Sequence, residues 1–120
     1  MRRVIDLHLS GRVAIYVPSL LFVELANALK RVSGLTSTDV VNALEALKSL
    51  HLNIVSDLEV LNDAIEIAFN QNITVYDAIY VALARATGSK LVTYDEELLN
   101  KFSDVARKAS QIIGEINSAS

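Results

Sequence analysis

The chain has no cysteine, so it forms neither disulfides nor thiolate metal sites. That absence fits a reducing compartment, and a cytoplasmic location is the expectation. It has one proline and four glycines in 120 residues, with no linker, repeat or low-complexity run to divide it. A single domain over residues 1–120 is therefore expected. Aromatic residues are only 6% of the chain, too few to announce a base-stacking platform. Tyr94 is the best exposed candidate, while Tyr16, Phe22, Phe69, Tyr76 and Tyr80 read as structural. Positive charge is not in excess: the net charge is −3, so no global field marks a nucleic-acid binder. A local basic patch from Lys30, Arg31, Arg85 and Lys90 stays open. No phosphate-cradling glycine loop is present. The longest apolar run, Ala78 to Ala84, falls far short of the ~20 residues a membrane span needs. The basic, then apolar start MRRVIDLHLSG is broken by Asp6 and His8, which argues against a signal peptide.

What the chain has in abundance is apolar side chains, 52% of the total. A length of 120 residues can bury about two-thirds of its unfolded surface, so a core without staples is feasible. The apolar excess points to a large core or to surface hidden against a partner, hence an oligomer.

Along the chain, residues 1–9 read as the tail of a helix closed by Gly11. VAIYV, residues 13–17, is β-branched and aromatic and reads as a buried strand ended by Pro18. A helix over about 19–32 carries Leu21, Leu25, Ala28, Leu29 and Val32 on one face. Thr36 and Asp39 form a capping-box-like start for the next helix. Residues 51–55 form a second strand, and Ser56 or Asp57 caps a helix with Leu58, Leu61, Ile65, Ala68 and Phe69 on its buried stripe. Thr74 caps a helix over 75–87 that Gly88 stops. Residues 90–94 form a strand, Asp95-Glu96-Glu97 starts a short helix, and Ser103 caps a last element, with a strand near Val105 as the alternative. Strands separated by helices argue for a layered α/β fold with a mostly parallel sheet.

In such a sheet, ligands bind at the carboxyl ends of the strands. Three acids can reach that crevice. Glu24 lies in the helix after VAIYV, Asp77 stands in the first turn of the 75–87 helix, and Asp95 follows the KLVTY strand. Clustered carboxylates repel one another unless a cation or proton compensates. Oxygen donors without histidine or cysteine favour Mg²⁺ or Mn²⁺ over Zn²⁺. The matching chemistry is phosphodiester hydrolysis, in which a metal binds a phosphate oxygen and activates a water. Each acid alone has a plainer reading. Asp77 and Asp95 suit a helix start as caps or dipole partners, and Glu24 suits a surface pair with Lys30 or Arg31. His8 and His51 lie near no acid motif.

Three segments together resemble the PIN-domain family, in particular its VapC-type toxins: VPSLLFVELANAL around Glu24, YDAIYVALA around Asp77, and KLVTYDEELL around Asp95. Their spacings of 53 and then 18 residues suit the family. The resemblance implies a three-layer α/β/α fold and an endoribonuclease that holds Mg²⁺ or Mn²⁺ in an acidic pocket formed by Glu24, Asp77 and Asp95. It also implies a homodimer, and inhibition by a VapB-like antitoxin. Thr93 would accompany the last acid, and Asn27 and Arg31 share the face of Glu24, where they would touch the pocket or a phosphate.

One departure stands out. The family begins with a central strand ending in Asp, and the expectation is that this strand is missing here through truncation or a misassigned start. Asp6 does not supply it. Only residues 7–12 separate Asp6 from VAIYV, and a parallel crossover needs a dozen or more residues. The loss would leave two unpaired inner edges, an uncovered core and a weaker metal site. The alternative function is a degenerate PIN-like module that dimerises or binds an antitoxin without catalysis. A flavodoxin-like or receiver-like domain is a third reading, disfavoured because no N-terminal strand supplies an acidic pair.

Overall fold

A computed structural model describes residues 1–119, with side chains described through residue 118. The elements in chain order are α1 (Arg2–Leu9), β1 (Tyr16–Pro18), α2 (Leu20–Lys30), α3 (Ser37–Lys48), β2 (Asn53–Val55), α4 (Asp57–Gln71), α5 (Val75–Thr87), β3 (Leu91–Val92), α6 (Glu96–Lys101), β4 (Ala106–Arg107) and α7 (Ala109–Ala119). The fold is α/β with parallel strand pairs between helices, as expected for a PIN-like chain. The strands are shorter than the sequence suggests. Pro18 lies inside β1 rather than opening the next helix, and α7 follows a real strand at β4 instead of a Ser103 cap.

Helix α5 is the centre of the molecule. Thr74 accepts a hydrogen bond from the Asp77 N–H at 3.1 Å and so starts it. Gly88, at φ +64°, ends it in the left-handed conformation that only glycine adopts without strain. Both its faces are used. Ala78, Ile79 and Ala82 pack on Val60, Ala64 and Ala68 of α4. Val81 and Ala84 pack on Leu98, Phe102, Val105 and Ala106. The α4 stripe differs from the one that large side chains suggest: Leu58 and Phe69 are 79% and 83% exposed. Alanines let α4 approach α5 closely, and that approach decides which face of α4 turns inward. Helix α2 differs too: no residue of it is buried, Ala28 faces solvent, and Val32, expected on its apolar face, lies exposed beyond its end.

The sheet is broken into two parallel pairs, β1 with β2 and β3 with β4. Hydrogen bonds from Asn53 N–H to Ile15 and from Ser19 N–H to Val55 show that residues 15, 17 and 19 face β2. By the alternation of a parallel ladder, Tyr16 and Pro18 turn their backbone groups away from it. Proline's missing N–H falls on that open side. In β3, Leu91 and Thr93 donate to Val105 and Arg107 of the β4 side, so Val92 faces the opposite way. The two open edges flank an apolar slot of about 510 Å³, lined among others by Val4, Ile5, Val17, Leu83, Leu91 and Ile116. The expectation of unpaired inner edges is thus met.

His8 fixes α1 at the mouth of the slot. The Ile15 N–H can only donate, so His8 Nδ1 accepts from it at 3.1 Å, and Nε2 donates to the Leu50 carbonyl at 3.0 Å. An open apolar slot of this size should bind an apolar dye such as anilinonaphthalene sulfonate. Enhanced dye fluorescence with native near-ultraviolet circular dichroism is the expected result. Absence of dye signal from the folded chain would mean that the slot closes in solution.

Candidate functional site

The N-termini of α2 and α4 are locked side by side at the ends of β1 and β2. Asp57 Oδ1 accepts from the Leu20 N–H at 2.9 Å, and the Asp57 N–H donates to Ser19 Oγ at 3.1 Å. This reciprocal pair sets the direction in which α2 leaves the sheet and so places Glu24, one turn further on. Glu24 is exposed, and its Oε1 accepts a hydrogen bond from the Tyr80 hydroxyl at 2.5 Å. Tyr80 stands one turn after Asp77 on α5, so this bond joins two of the motif helices.

Asp77 is half-buried in the first turn of α5. Its carboxyl is held above the usual carboxylate range, first by burial and then by the negative charge of Asp95, with Glu24 and Glu97 adding to it. The Thr74 hydroxyl opposes the shift. Three acids from two other places in the chain, Glu24 on α2 and Asp95 with Glu97 at the start of α6, therefore press on Asp77. Asp95 is exposed and caps α6, where Oδ1 accepts from the N–H groups of Glu97 at 2.8 Å and Leu98 at 3.2 Å. Thr93 Oγ1 accepts from the Asp95 N–H at 3.1 Å and fixes the backbone that leads into the cap. The plain cap reading and the site reading of Asp95 coexist, because the cap uses Oδ1 and not Oδ2.

Among the described residues, no three acids or histidines approach closely enough to hold a metal ion as a closed cage. The donor set fits Mg²⁺ or Mn²⁺ in the other way open to such ions. One or two carboxylates bind while water and substrate phosphate fill the remaining positions. A cation at Asp77 would relieve the repulsion on it.

Asn27 on α2 and Arg31 at its C-cap are exposed, with no side-chain hydrogen bond or ion pair among the described residues. The expected basic patch is partly tied up. Arg85 pairs with Asp104 at 3.2 Å and lies over the Phe102 ring, and Lys90 Nζ donates to the Asp104 carbonyl. Tyr76, expected to be structural, is 63% exposed beside Asp77, much as Tyr94 is 64% exposed beside Asp95. Glu97, which reads in the sequence as a solvated helix-start acid, contributes to the field on Asp77. Tyr80 also reads as structural in the sequence, although its spacing of three from Asp77 puts both on one helical face.

The PIN domain profile matches residues 3–108. The chain belongs to the PIN-domain family. Over 51 residues it is 51% identical to the protein named Ribonuclease VapC3 of Pyrobaculum aerophilum, a stretch that covers 42% of this chain and 39% of that relative. The chain thus spans about two-fifths of the length of the curated relative it matches. The PIN-domain match takes in all three acid motifs, and no helix among the described residues is long and apolar enough to cross a membrane.

Proposed function

We propose that this PIN-domain chain is a divalent-metal-dependent endoribonuclease of a toxin–antitoxin pair. The observation that carries the reading is the PIN-domain match over residues 3–108, which takes in Glu24, Asp77 and Asp95, and the negative charge of Asp95, Glu24 and Glu97 around half-buried Asp77 supports it. A cation would relieve such repulsion, and an oxygen-only donor set favours Mg²⁺ or Mn²⁺. Family membership and the similarity to a protein named as a ribonuclease support RNA as the substrate. In this reading Glu24, Asp77 and Asp95 are the metal-binding and catalytic acids. Thr93 holds Asp95 in place, Arg31 and Asn27 face the phosphate backbone, and the exposed Tyr76 and Tyr94 offer flat faces to bases beside the acids. Exposed Val23, Val32, Leu35 and Val41 along α2 and α3 suit burial against a second copy or a VapB-like antitoxin.

The test is cleavage of single-stranded RNA by the purified chain. Cleavage with Mn²⁺ or Mg²⁺ that stops on adding a chelator is the expected result, and a chain inert at high concentrations of both ions would end the reading. The second reading, a PIN-like module that binds partners without catalysis, is favoured by the lack of a closed ligand cage among the described residues. Calorimetry separates the two, because the module binds no Mn²⁺ while still dimerising.

A further inference from the structure

We propose that Tyr80 is a positioning residue for Glu24: its hydroxyl, reaching from α5 to α2, ties one carboxylate oxygen to the helix that also carries Asp77. The inference deepens the metal-dependent reading above and rests on it. Helix α2 has no buried residue, so packing alone does not fix a glutamate on its surface. The hydrogen bond does. The donor and acceptor oxygens are 2.5 Å apart. It is the side-chain hydrogen bond that Glu24 makes among the described residues, and it uses Oε1 alone.

The direction of the bond is also fixed. The half-buried phenol carries the O–H that donates, and the Glu24 oxygen is the acceptor. Tyr80 neither takes a proton from a nucleophile nor touches the reacting atoms. It acts through Glu24, as residues that orient metal-binding carboxylates do elsewhere. Because Tyr80 and Asp77 share one helical face, a single rigid helix sets the spacing between the first acid and the anchor of the second.

The test is a double-mutant cycle of Tyr80→Phe and Glu24→Ala, read by Mn²⁺ titration calorimetry, with kcat and KM for RNA cleavage beside it. Phenylalanine keeps the ring and its packing and removes only the donor, so the unfolding midpoint should stay close to that of the wild type. Tyr80→Phe is expected to weaken Mn²⁺ binding roughly tenfold or more and to lower kcat rather than raise KM. In the Glu24→Ala background the same change should have no further effect. Unchanged Mn²⁺ affinity in Tyr80→Phe, or an equal loss in both backgrounds, overturns the proposal. A wild-type chain that binds no Mn²⁺ overturns the metal reading itself and this inference with it, so the two failures are told apart by the wild type alone.

Discussion

Asp77→Asn is expected to lower metal-dependent RNA cleavage by ~10²-fold or more. A metal ion's charge stabilisation is worth several kcal/mol, and each ~1.4 kcal/mol is a factor of ten in rate. Asparagine keeps the shape and the N–H that Thr74 caps, so the loss would come from the charge. The same variant has a second expected result, of opposite sign. The Asp77 carboxyl is held above its ordinary value by burial and by Asp95, Glu24 and Glu97. A raised acid contributes stability that is fully present below its unfolded pKa, near 4, and is lost as pH rises through the folded value. At neutral pH without metal, wild type therefore carries a strained charge that the asparagine removes. In chelator the variant should unfold at a higher temperature than wild type at pH 7, by less than ~1 kcal/mol because Asp77 is partly solvated. The difference should vanish towards pH 3. Added Mn²⁺ should stabilise wild type and leave the variant unmoved. Undiminished cleavage by the variant would identify a contaminating nuclease. A variant destabilised in chelator would show that the carboxylate serves the fold rather than a site.

The parts of the molecule that can be read from the residues are those whose signals are local. Helix α5 is legible from end to end because its signals are local: Thr74 caps it, Gly88 stops it, and the apolar run between fills two cores. The Thr36–Asp39 capping box is legible for the same reason, and both of its hydrogen bonds form. The buried face of α4 is not. Its packing is made by Val60, Ala64 and Ala68 with Leu61 beside them, so Ala68 and Leu61 of the expected stripe turn inward while Leu58, Ile65 and Phe69 look outward. A count of large side chains cannot see a contact whose purpose is close approach. The broken sheet is legible only through resemblance, since the open edges at Tyr16 and Val92 leave no local mark and emerge only from the pairing. Of the candidate site, the three acids stand out in the sequence, and the charges of Asp95 and Glu24 do act on Asp77, but Asp95 also serves as a cap. Tyr80 does not stand out, because a tyrosine in an apolar helix has the same composition whether its hydroxyl is idle or bonded.

Phe102→Ala should be the most damaging single change in the core. Phe102 is 1% exposed and is the largest fully buried side chain. It packs with Val81, Ala84, Leu98, Val105 and Ala106, and its carbonyl accepts from both the Val105 and Ala106 N–H groups. Deleting a buried phenylalanine to alanine costs about 3–5 kcal/mol, transfer and cavity together. Domains of this kind hold only about 5–15 kcal/mol in all. The position of the residue adds a more specific consequence. The α4–α5 cluster of Val60, Ala64, Ala68, Ala78, Ile79 and Ala82 does not include Phe102, whereas the cluster that seats β3, α6 and β4 on α5 is built around it. Because the sheet does not run between β1 and β3, no ladder of hydrogen bonds carries stability from one half to the other. The variant should therefore loosen residues 91–107 before residues 57–84, and with them Asp95, the acid that presses hardest on Asp77. Amide hydrogen exchange should show protection lost at Leu91, Leu98 and Ala106 while Ala64 and Ala78 stay protected, together with a cleavage rate reduced at temperatures where α5 is still folded. Uniform loss of protection across both clusters would show instead that the two halves unfold as one unit.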